Sequence, residues 1–119
     1  MKPRILDTSA ILALFEAHEP VMARLEAAQA GEMCLLLPTS AIAEAEARVC
    51  AGTDGWAAVL LSPGIASLPL TEHAAIEVGQ WSGDLATRHA VHEAQAVRAA
   101  IMTRRPGVYE GHRVALVVV

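Results

Sequence analysis

Between Gly31 and Pro38 the chain reads Met33-Cys34-Leu35-Leu36-Leu37, five apolar residues with no polar one among them. A strand with one face in water alternates apolar and polar side chains; a short unbroken apolar run bounded by turn residues reads as a strand covered on both faces. Towards the N-terminus, Pro20 fits the first turn of a helix carrying Val21, Met22, Leu25 and Ala28 on one side and ending near Gly31. Before it, Arg4 to Leu6 reads as a first strand ended by Asp7. Thr8 or Ser9 then caps a helix with Ile11, Leu12, Leu14 and Phe15 on its apolar side.

Towards the C-terminus, Thr39 or Ser40 caps a helix to about Ala51 that Gly52 closes, and Trp56 to Leu61 makes a short helix stopped by Ser62-Pro63-Gly64. Ile65 to Leu70 reads as a third strand, and Pro69 assigns it to an edge. Thr71 opens a helix reaching Trp81 and ending at Gly83, and Asp84 starts another to about Ala99. Ala100 to Thr103 is the fourth strand. Arg113 to Val119 is the fifth, on the strength of its β-branched Val114, Val117, Val118 and Val119. A turn or single helical turn at Arg104-Arg105-Pro106-Gly107 joins the two. Strands alternating with helices predict an α/β fold, with helices on both faces of a mostly parallel sheet.

The 119 residues fit one domain spanning 1–119. With 54% apolar and 18% charged residues, an extended disordered chain is excluded. Phe15, Trp56, Trp81 and Tyr109 are the only aromatics, so the core must come from Ala, Leu, Val and Ile; the two tryptophans are expected in the core or at a partner contact. The mean hydropathy of +0.38 raises the question of a membrane. The longest uncharged stretch, Gly55 to Thr71, is broken by Pro63, Gly64 and Pro69 and falls short of the roughly 20 apolar residues a spanning helix needs. Lys2 and Arg4 are followed too soon by Asp7 and Glu16 for a signal peptide, so a soluble cytoplasmic protein is expected. Cys34 and Cys50 have no CxxC companions, which leaves buried reduced thiols as the expectation. The net charge of −4 argues against broad nucleic-acid binding. Residues 84–119 nevertheless carry five arginines against three acids, which allows a local basic face.

In an open parallel sheet, ligands sit beyond the carboxyl ends of the strands. Asp7 falls at that end of the first strand, Glu44 about one turn into the helix after the second, and Asp84 at the start of the helix before the fourth. Their hard oxygens suit Mg²⁺ or Mn²⁺ if they meet at one edge of the sheet. Taken singly, Asp7 and Asp84 read equally as helix caps, and Glu44 and Glu46 as solvated helix residues.

The residues around these acids resemble a known family. Ile5-Leu6-Asp7-Thr8-Ser9-Ala10-Ile11-Leu12-Ala13-Leu14-Phe15 is similar to the opening of PIN domains, in particular the VapC-type toxins of toxin–antitoxin modules. Pro38-Thr39-Ser40-Ala41-Ile42-Ala43-Glu44-Ala45 resembles the family's strand-to-helix segment, and Ser82-Gly83-Asp84-Leu85-Ala86-Thr87-Arg88-His89-Ala90-Val91 its third acidic segment. Ala100-Ile101-Met102-Thr103 resembles its strand ending in threonine. The resemblance spans nearly the whole chain in the right order. It implies a three-layer α/β/α sandwich and a Mg²⁺- or Mn²⁺-dependent endoribonuclease, homodimeric and neutralised by a cognate antitoxin. Asp7, Glu44 and Asp84 become its catalytic, metal-site carboxylates, with Thr8 and Ser9 orienting the first.

After Thr103 the family commonly carries a further aspartate within two residues, where this chain has Arg104 and Arg105 and then Pro106. The nearest later acid is Glu110. Either three acids suffice and the arginines meet substrate phosphate, at least one of them facing the acidic pocket, or the site is a weakened or inactive one in a protein-binding module. A receiver-like or haloacid-dehalogenase-like phosphatase domain is disfavoured, because Asp7-Thr8-Ser9 supplies neither an adjacent acid nor DxD. His89 and Glu93 share one helix at i,i+4 spacing, so His89 is expected to be packed or hydrogen-bonded and His92 at the surface.

Overall fold

The structure is a computed structural model that describes residues 2–119. Five strands form one sheet: β1 (Lys2–Leu6), β2 (Met33–Pro38), β3 (Ile65–Leu68), β4 (Ala100–Thr103) and β5 (Leu116–Val118). The order is β3-β2-β1-β4-β5, and every pairing is parallel, so the sheet is parallel throughout. Helices α1 (Thr8–Phe15) and α2 (Glu19–Gln29) connect β1 to β2, and α3 (Thr39–Val49) and α4 (Gly52–Leu60) connect β2 to β3. Helices α5 (Glu72–Gly79) and α6 (Leu85–Val97) carry the chain back to β4, and a 3₁₀ turn at Pro106–Tyr109 precedes β5.

Right-handed crossovers account for the layers: α1 to α4 move the chain outward on one face, and α5 and α6 return it across the other. The side chains of the strands divide accordingly. Leu6, Leu35, Leu37 and Met102 pack with α1 to α4, whereas Ile5 and Ile101 pack with Ala90, Val91 and Ala94 of α6. This is the three-layer α/β/α sandwich. Leu35, Leu36 and Leu37 alternate between the two cores, which is why their run carries no polar residue.

Several boundaries differ from the sequence-based expectation. Helix α1 is capped by Asp7, not Thr8 or Ser9, and α3 starts after Pro38 with no side-chain cap from Thr39 or Ser40. Cys50, with φ 51°, takes the left-handed position that ends α3; Gly52 opens α4 instead of closing α3. Strand β3 stops at Leu68, α5 at Gly79, and β5 is only Leu116–Val118. Trp56 lies in the core. Cys34 is half-buried and Cys50 exposed, so the expected burial of both thiols is not found. No helix among the described residues is long and apolar enough to cross a membrane.

Candidate metal centre and phosphate pocket

In the strand order β3-β2-β1-β4-β5, the crossovers leave β1 and β4 in opposite directions, so the crevice beyond their carboxyl ends is the topological switch point. Asp7 ends β1 there and Thr103 ends β4. A pocket of about 320 Å³ opens beside Asp7, lined by Asp7, Glu44 and Asp84 together with Thr8, Ser9, Arg48, Thr87 and Arg105; Thr103 lies buried beneath it and off its wall. Helix α3 brings Glu44 and Arg48, one turn apart, and the N-terminus of α6 brings Asp84 and Thr87.

Asp7 is buried, and its carboxylate is held on both oxygens. Oδ1 accepts from Ser9 Oγ at 2.7 Å and the Ala10 amide at 2.9 Å; Oδ2 accepts from the Tyr109 hydroxyl at 2.7 Å. Because an ionised carboxylate only accepts, the polarity of the network is set. Ser9 gives its one proton to Asp7 and therefore accepts from the Arg104 amide at 2.9 Å and from Thr103 Oγ1 at 3.3 Å. Thr103, fully buried, accepts in turn from the Arg105 amide at 2.9 Å. The end of β4 is thus tied to Asp7 through two hydroxyls. Burial, then the Asp7 charge and its hydrogen bond, push the Tyr109 phenol far above its ordinary range, so it stays a donor.

Asp84 caps α6, with Oδ1 accepting from the Thr87 amide and Oδ2 from the Thr87 hydroxyl. Burial pushes its carboxyl up, but these hydrogen bonds and the nearby Arg105 charge outweigh it and leave Asp84 below the usual carboxylate range. Glu44 is exposed on the pocket wall. Glu46, the neighbouring acid, faces the other way. Its carboxylate accepts from the Ala51 and Gly52 amides and Trp56 Nε1, and the Trp56 hydrogen bond leads the effects that hold it below the ordinary glutamate range.

The two arginines after Thr103 part company. Arg105 lines the pocket, whereas the Arg104 guanidinium turns away to pair with Glu16 at 3.2 Å. Glu110 is exposed and lies outside the pocket lining. Among the described residues, no three Asp, Glu, His or Cys side chains stand close enough to enclose one ion, so the three acids share a pocket without forming a closed cage. The donor chemistry still fits a hard divalent cation: Mg²⁺ is typically held by one or two carboxylates and keeps several waters. None of the three pocket acids is tied up in a salt bridge among the described residues.

Three residues at the site escaped the sequence reading. Arg48 lies four residues after Glu44, a spacing that places both on one helical face and was legible. Thr87 lies three after the capping Asp84, also a readable spacing. Tyr109 is 102 residues from Asp7, and no local pattern signals that contact.

Behind the pocket, fully buried His89 joins α3 to α6, with Nδ1 2.6 Å from Ser40 Oγ and Nε2 3.2 Å from Glu93 Oε1. Glu93 only accepts, so Nε2 carries the proton and Ser40 donates to Nδ1. Burial pushes the His89 imidazole down, and Glu93 opposes that only in part. His92 is half-buried beside Trp81 and His73, not at the surface as expected.

No family model and no curated protein matches the sequence. Among solved structures, the chain is similar to one in the crystal structure of VapBC2 from Rickettsia felis bound to a DNA fragment from their promoter. The TM-score is 0.72 over 98% of this chain and 98% of that one, at 11% identity. The fold is PIN-like. At that identity the likeness is one of architecture, and the chemistry of this PIN-like chain rests on its own side chains.

Proposed function

We propose that this chain is a Mg²⁺- or Mn²⁺-dependent endoribonuclease, the toxin of a toxin–antitoxin module, with Asp7, Glu44 and Asp84 as its metal-site carboxylates. The observation that carries the reading is the gathering of these three acids, with Arg48 and Arg105, in one pocket at the switch point of a PIN-like sheet. A bound divalent ion supplies a polarised phosphoryl oxygen and a water made acidic enough to yield hydroxide near neutral pH. The chain's own residues do the rest. Thr8 and Ser9 shape the wall beside Asp7, and Ser9 holds its carboxylate; Thr103, fully buried and off the pocket wall, backs Ser9 and does not touch substrate. The Arg105 guanidinium meets a substrate phosphate and the charge that develops on it. Arg104 serves through its backbone, whose amide donates to Ser9. The similarity to VapBC2, crystallised with promoter DNA, supports a cognate antitoxin as partner. A homodimer working in the cytoplasm completes the reading.

Arg105, in place of an acid, also favours a second reading, a non-catalytic module acting through protein binding. Incubation of the purified chain with single-stranded RNA separates the two. Mg²⁺ or Mn²⁺ switches cleavage on, EDTA stops it, and Asp7→Asn abolishes it. Cleavage that survives EDTA, or an Asp7→Asn variant as active as the wild type, would refute the metal-carboxylate reading; no cleavage under any metal would leave the binding module.

A further inference from the structure

Each oxygen of a carboxylate has two lone pairs, about four acceptor sites in all. In Asp7 three of these are spoken for. Ser9 Oγ and the Ala10 amide fill Oδ1, and the buried Tyr109 hydroxyl takes one site on Oδ2. One lone pair, on Oδ2, remains for a ligand. Asp7 therefore has no room for chelation through both oxygens or for bridging two ions. The wall after β4 agrees: Arg105 puts a positive charge there in place of a further acidic ligand.

We propose that Tyr109 is a positioning residue that fixes the Asp7 carboxylate so that the pocket seats a single divalent cation per chain, on the free lone pair of Oδ2. This rests on the nuclease reading above and extends it to the number of ions and to the residue that orients the Asp7 ligand. Tyr109 does so from the 3₁₀ turn after β4, where only 3% of its surface is exposed, so water cannot substitute for its hydroxyl. A partner that orients a metal ligand through a hydrogen bond changes metal affinity about 10- to 100-fold when removed.

The test is Mn²⁺ titration of the purified chain, with free and bound ion followed by electron paramagnetic resonance, for wild type, Tyr109→Phe and Asp7→Asn. Phenylalanine keeps the buried ring and removes only the hydroxyl, and thermal melts locate a temperature at which all three chains are folded. Wild type binds one Mn²⁺, and Asp7→Asn loses that site. Tyr109→Phe binds its ion about 10-fold more weakly, with a changed bound-ion spectrum because the carboxylate is no longer pinned. Two ions on wild type, or a Tyr109→Phe affinity within about twofold of wild type, overturns the proposal while leaving a metal-dependent nuclease standing. Absence of Mn²⁺ binding to wild type overturns both.

Discussion

Arg104 and Arg105 are adjacent in sequence, yet they meet different surroundings because the chain turns between them at the end of β4. The Arg105 side chain enters the pocket, and that of Arg104 crosses to Glu16 on the outside. An exposed ion pair of that kind is worth about 0–1 kcal/mol, so Arg104→Ala costs little stability and leaves RNA affinity nearly unchanged. Arg105→Ala weakens RNA binding, and the slope of log K against log salt becomes shallower by about 0.7, one phosphate contact on a single strand. Filter binding of an RNA oligonucleotide to the two variants at several salt concentrations checks this; equal slopes assign Arg105 to the wall alone. The sequence identified both arginines as candidates but could not divide them, since no periodicity runs through a turn. Asp7 was legible because it directly follows Ile5-Leu6, the buried apolar end of a strand. Glu44 is set apart from Glu46 only by which face of α3 meets the pocket, and that depends on Trp56, ten residues on, claiming Glu46.

At the scale of elements, the corner between α3 and α4 shows where local sequence signals mislead. Gly52 looks like a helix stop, and it does adopt φ 69°, but Cys50 at φ 51° has already ended α3. The Glu46 carboxylate then accepts from the Ala51 and Gly52 amides, so α4 begins at Gly52 under a cap borrowed from the preceding helix. Sequence rules look for a cap next to the helix it serves, and this one lies six residues back. A non-glycine residue in the left-handed region costs about 1–2 kcal/mol, against which glycine loses about 0.4–1 kcal/mol of chain entropy on folding. Cys50→Gly is therefore expected to stabilise the chain by about 0.5 kcal/mol, read as a higher midpoint in urea with an unchanged slope. A lower midpoint would mean that the Cys50 side chain contributes packing that its exposure does not suggest.

At the scale of the whole molecule, the layers were legible and their junction was not. Unbroken apolar strands and alternating elements specify a parallel sandwich, and its switch point then follows from strand order. What locks the two helical layers together behind the pocket is the Ser40–His89–Glu93 chain between α3 and α6, which carry Glu44 and Asp84. Its members are 49 and 4 residues apart, and only the shorter spacing is visible in sequence. Fully buried His89 makes this junction sensitive to acid. Burial holds the folded imidazole below its ordinary pKa, so between that depressed value and about 6.5 the unfolded chain binds a proton that the folded one does not. The stabilisation from neutral His89 is complete above about pH 6.5 and is lost as pH falls through the folded value, by at most about 1.4 kcal/mol per pH unit. Asp84, also depressed, adds stability that disappears only as pH falls below the ordinary aspartate range, so the two effects occupy separate windows. Unfolding in urea at steps from pH 7.5 to 5 is expected to show stability falling in the upper window for wild type. His89→Gln keeps a donor for Glu93 but has no proton to gain, so its starting stability is lower and its profile in that window is flatter. If the variant falls as steeply as wild type, the acid sensitivity lies elsewhere and the buried imidazole is only a strut.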